Sequence, residues 1–106
     1  MIPQPIVAYV LAENSHDTDS VTKCFTQDAV VKDEGKLHRG REQIKAWNLE
    51  TTSKYSAHIA PIQVTSNDKS YVLKASVSGN FPGSPAILHF HFSIAGALIN
   101  SLEVTV

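Results

Sequence analysis

Near Tyr55 the hydrophobic rhythm of this chain changes from helical to extended, and that change limits the fold more than any other feature. Ahead of it, Ile6, Val7, Val10 and Leu11 form an apolar helical stripe, with Pro3 and Pro5 placed before or in its first turn. Asp17 or Thr18 can cap a second helix running through Phe25, with Val21, Cys24 and Phe25 facing inward. A short strand is expected at 29–32. Gly35 permits a turn, and 37–39 returns as a second strand. Gly40 then caps a third helix, on which Ile44, Trp47 and Thr51 share a face.

Beyond Tyr55 the period is two. Residues 59–65 read as a strand, with Pro61 confining it to an edge or a bulge. Asn67-Asp68 turns the chain into a long strand, with Tyr71, Leu73, Ala75 and Val77 on one face. Residues 80–85 are dense in turn formers and make a loop. In 86–94, Leu88, Phe90, Phe92 and Ile94 alternate with Ile87, His89, His91 and Ser93. Ala95-Gly96 turns, and 98–106 closes the sheet. Three helices followed by an antiparallel meander define an α+β fold, a curved sheet wrapped around helices.

The 106 residues, 42% hydrophobic, are expected to form a single domain, 1–106, with a real core. Pro3, Pro5, Glu13 and Asn14 interrupt or end the apolar N-terminal stretch, so no membrane span is expected there. No basic residue precedes 6–11, which argues against a signal peptide. The net charge of -1, with nine scattered basic residues, gives no footprint for nucleic acid or a membrane surface. Cys24 is the only cysteine, so no disulfide framework exists. A buried thiol and a reducing cytoplasm are the expectations. His89 and His91 share a strand face, but a metal site needs a third ligand, so neither metal nor other cofactor is expected.

Asp33 follows the apolar run Ala29-Val30-Val31. A carboxylate leaving a strand into an apolar hollow can shuttle protons, because desolvation raises its pKa toward working pH. The alternative is a solvated ion pair with Arg39 or Arg41. Glu34 would point to the opposite strand face as an exposed partner for either arginine. Tyr9 is either a hydrogen-bond donor to a ligand or a core tyrosine whose hydroxyl meets a backbone acceptor.

Ile6-Val7-Ala8-Tyr9-Val10 and Phe25-Thr26-Gln27-Asp28-Ala29-Val30-Val31-Lys32-Asp33 resemble a first helix with its oxyanion tyrosine and the strand that bears an aspartate base. This is the pattern of ketosteroid isomerase-like and SnoaL-like polyketide cyclase domains in the nuclear transport factor 2-like superfamily. The resemblance covers nearly the whole chain and implies a cone with an apolar pocket at its open end. It implies Asp33 as base and Tyr9 as oxyanion donor, with Trp47, Tyr55, Phe81, Leu88, Phe90 and Phe92 available to line a site for a small apolar or cyclic ligand. It also implies a homodimer through the outer sheet face bearing Ile87, His89 and His91. Leu88 stands where the isomerases carry a second, protonated aspartate, so one oxyanion donor is missing. An aspartate-arginine-aspartate site, as in related epoxide hydrolases, would need a later carboxylate, and only Asp68 and Glu103 follow Glu50. A non-catalytic dimerisation or ligand-binding module on the same fold is the other reading.

Overall fold

The structure is a computed structural model and describes residues 2–106. Among them lie α1 (Gln4–Asn14), α2 (Thr18–Lys23) and α3 (Gly40–Tyr55), with strands β1 (Phe25–Asp33), β2 (Lys36–Arg39), β3 (His58–Asn67), β4 (Ser70–Ser78), β5 (Ala86–Ala95) and β6 (Leu98–Thr105). Pro3 precedes α1, and its carbonyl accepts from the amides of Ile6 and Val7, so the proline opens the helix without losing a needed donor. Asp17 caps α2 by accepting from the Ser20 amide at 3.2 Å. At the start of α3, the Gln43 side chain accepts from the Arg39 amide at 2.8 Å, satisfying a donor at the helix entrance.

The strands form one curved, unclosed sheet in the order β2-β1-β6-β5-β4-β3. Four of its pairings are antiparallel, and β1 with β6 is parallel. The mixed sheet arises because the meander β3 to β6 brings its last strand back beside β1, laid down before the α3 crossover. Helices cover one face. Their apolar residues Ile6, Val21 and Ile44 meet Val31, Leu73, Phe92, Ile99 and Leu102 in the core, each no more than 2% exposed. Burial of such side chains is worth about 1.5–3 kcal/mol each and dominates the stability of the arrangement.

Pro61 sits on edge strand β3, where the register slips between Pro61 and Gln63. One expected boundary is corrected. Helix α2 stops at Lys23 and β1 begins at Phe25, earlier than residue 29. The amide of Ile99 donates to the Cys24 carbonyl at 2.8 Å, so pairing with β6 captures the chain just where the helical pattern would have continued. A second correction concerns the turn after β1. Glu34 (φ 52°) and Gly35 (φ 75°) are both left-handed, making a two-residue hairpin loop that ends the strand at Asp33.

Candidate active site

Tyr9 and Glu13 lie one helical turn apart on α1 and share a face. Trp47 and Tyr55 project from α3, Asp33 and Glu34 from the β1–β2 corner, Leu88 and Phe90 from β5, and Phe81 from the β4–β5 loop. Together they line a cavity of about 720 Å³ at the end of the sheet. Phe92 does not line it. The ring lies in the core, 5.5 Å from that of Tyr9, which also meets Phe25 edge-on at 6.0 Å. The rim is tight at Gly79, where an added Cβ would stand 2.6 Å from the Tyr55 carbonyl oxygen. That approach lets the Asn80 amide donate to the same carbonyl at 2.7 Å and places Phe81 against Tyr55 at 5.9 Å.

Trp47 donates its indole N–H to Asp33 Oδ2 at 3.0 Å. Neither arginine pairs with Asp33: Arg41 gives two hydrogen bonds to the Phe25 carbonyl, at 2.9 and 2.7 Å. Among the described residues the ion pairs are Lys32–Glu103 and Lys45–Asp19. Burial therefore raises the Asp33 pKa above its ordinary value, opposed by the Trp47 bond and reinforced by the charge of Glu34. Glu34 is exposed, but its partner is Tyr55, whose hydroxyl donates to it at 3.0 Å. The expected pairing with Arg39 or Arg41 fails because the hairpin turn, rather than a continuing strand, sets its direction.

Tyr9 is 1% exposed and donates its hydroxyl to Glu13 Oε2 at 2.9 Å. Its pKa is pushed well above the usual phenol value, by burial first and then by Glu13. Glu13 Oε1 accepts from Asn48 Nδ2 at 2.7 Å, and Asn48 Oδ1 accepts from Thr18 at 2.7 Å. Asn48 is fully buried. Burial raises the Glu13 pKa despite these two bonds, and the charge of Asp33 adds to the rise. Two carboxylates with raised pKa values thus face one apolar cavity. Sequence reasoning missed Glu13, Asn48 and the Trp47 bond. The four-residue spacing of Tyr9 and Glu13 was the available signal.

His89 and His91 lie on the opposite sheet face from Phe90, with ring centroids 6.5 Å apart, and His91 Nε2 is 2.9 Å from Thr105 Oγ1. No group of three metal-ligating side chains occurs among the described residues. Cys24 is free and buried, its thiol directed at the Ser20 carbonyl. No described helix is long and apolar enough to cross a membrane.

A curved mixed sheet over three helices, with one end opening into an aromatic and carboxylate-bearing cavity, defines a cystatin-like α+β fold of the cyclase/isomerase type. The chain belongs to the nuclear transport factor 2-like superfamily, among its ketosteroid isomerase-like and SnoaL-like members. It is 35% identical to a candidate polyketide cyclase from Sinorhizobium meliloti, with 98% of this chain and 95% of that one covered at a TM-score of 0.95. A protein of ketosteroid isomerase-like fold from Catenulispora acidiphila, solved with trimethylamine, matches at TM-score 0.88 and 19% identity, over 100% of this chain and 87% of its own. SalBIII, an epoxide hydrolase/cyclase-like enzyme of pyran ring formation in salinomycin, matches at 0.83 and 19%, over 95% and 86%. These two likenesses establish the fold alone. No family model and no curated protein matches the chain in sequence.

Proposed function

We propose that the protein, as one domain spanning 1–106, binds a small apolar or cyclic ligand in this cavity and acts on it as an isomerase- or cyclase-type enzyme. The observation that carries the reading is that Asp33, unpaired with any cation and held by Trp47, faces the same cavity as the Tyr9–Glu13 pair. Asp33 removes a proton next to a carbonyl, negative charge moves to the carbonyl oxygen, and the protonated Asp33 returns the proton at another carbon. Tyr9 supports the developing oxyanion. To do so its hydroxyl must exchange Glu13 for the ligand oxygen, a change eased when Glu13 is protonated and itself donates to the phenol oxygen. Trp47 keeps the carboxylate aimed. The cyclase designation of the Sinorhizobium protein and the ring-forming enzyme SalBIII support the cyclase side of this reading.

Leu88 and the engagement of Tyr9 with Glu13 favour a second reading, a ligand-binding module without catalysis. Deuterium uptake separates the two. A β,γ-unsaturated cyclic ketone incubated with the protein in heavy water should gain deuterium faster than in buffer. Binding without uptake would leave only the module.

The proposal extends to a homodimer in a reducing cytoplasm, paired through the outer sheet face. Ile87, His89 and His91 lie there, with Ser76 opposite Ile87 and Lys74 opposite His89. Light scattering at high micromolar concentration should give twice the monomer mass. A monomer mass would rule the pairing out.

A further inference from the structure

We propose that the ligand of this cavity carries a positive charge: an apolar ring or chain bearing an amine or quaternary ammonium group. The inference rests on reading the cavity as the ligand site and adds the charge of the occupant. Among the described residues around the cavity none is lysine or arginine. The carboxylates of Glu13, Asp33 and Glu34 meet only neutral donors, namely the Tyr9 and Tyr55 hydroxyls, the Asn48 amide and the Trp47 indole. Among the described residues no lysine or arginine forms an ion pair with these three carboxylates. Arg41 is held by the Phe25 carbonyl, Lys32 and Lys45 by Glu103 and Asp19, and Lys54 lies 5.2 Å from the centroid of the Tyr55 ring. His16, His38 and Lys54 oppose the negative field without an ion pair to these carboxylates, and low-dielectric walls focus it into the cavity.

The walls complete the case. Tyr9, Trp47, Tyr55, Phe81 and Phe90 surround the carboxylates with aromatic rings, whose faces attract cations. An anionic ligand would face like charges with no counter-ion. A neutral ligand would leave the carboxylates uncompensated in an apolar space, which is costly. A ligand cation compensates them. Protons compete for the same role, because burial raises the pKa values of Glu13 and Asp33. The other ionisable groups facing them are Tyr9 and His16 from the α1 side, Cys24 after α2, Glu34 and His38 from the β1–β2 hairpin, Tyr55 from α3, and Glu103 from β6. Cation affinity should therefore rise with pH as the carboxylates lose their protons.

Trp47 is the only tryptophan, so its indole N–H resonance is unique, and its bond to Asp33 sets it at the cavity. The probes are phenyltrimethylammonium, its uncharged isostere tert-butylbenzene, and benzoate. The ammonium should bind about tenfold or more tighter than the isostere, with benzoate weakest. Its affinity should fall on acidification, and Glu13→Gln should reduce its preference over the isostere. Equal or tighter binding of the isostere, or of benzoate, overturns the charge assignment and leaves the cavity as a site for apolar ligands. No response of the indole to any of the three overturns both the assignment and the site.

Discussion

Asparagine in place of Asp33 should raise the melting temperature at pH 7 while cutting proton transfer by about 10²–10⁴-fold. Both effects come from the same burial. The folded-state pKa of Asp33 is raised, so the folded protein binds its proton more tightly than the unfolded chain does. The stabilisation from that proton is fully present below the ordinary aspartate value of 3.8 and is lost as pH climbs through the raised value. At neutral pH the ionised carboxylate is therefore a burden on the fold. Asparagine keeps an oxygen for the Trp47 indole and removes the charge that also raises the pKa values of Tyr9 and Glu13. Melting curves of both proteins at pH 7 and at acid pH test the sign. The variant's advantage should shrink as pH falls, and a variant less stable at pH 7 would contradict the assigned cause. Deuterium uptake tests the second half, since retained activity would remove Asp33 from the chemistry. On the proposed reading Asp33 costs stability where it works, a familiar trade in enzymes.

Phe92→Ala should destabilise the protein by about 3–5 kcal/mol, lowering its melting temperature by about 15–30 °C. The ring is 2% exposed, packs on Tyr9 and lies nearly parallel to Phe90 at 6.4 Å. Removing it leaves a sealed void beneath the cavity floor, with no solvent to fill it. Phe90, two residues away, faces the cavity itself, so its removal enlarges a space already open. Phe90→Ala should cost less stability, about 2 kcal/mol, and weaken ligand binding more. Parallel thermal melts and titrations of the two variants check this division. Equal losses of stability would show that the two rings are not divided between core and wall.

The front helices and the alternating strands of the back half were legible because amphipathic period is a local property. Pro61 announced an edge for the same reason: a residue without an amide proton cannot sit inside a ladder. The start of β1 was hidden, since Val21, Cys24 and Phe25 keep helical spacing and only the distant strand β6 decides where the helix stops. The placing of the cavity side chains divides along the same line. Asp33 and Tyr9 stood out by residue type and by resemblance. Glu13 figured only as a residue interrupting or ending an apolar stretch, and its place at the cavity depends on Asn48, which reaches it from another helix. Glu34 was misdirected because two left-handed residues reverse the chain, a fact written in Gly35 but not in the glutamate.

The bulge on β3 bears on how copies of this chain can assemble. Pro61 offers no amide proton, and the slipped register beside it breaks the straight row of hydrogen-bonding groups that an incoming strand would read. At the other end of the sheet, β2 has only four residues, with Lys36 and Arg39 exposed. Neither margin is a template for strand addition. The pairing proposed above is therefore left to the outer sheet face, where two surfaces that cover each other would leave nothing for a third copy. Margins of this kind resist growth into fibres.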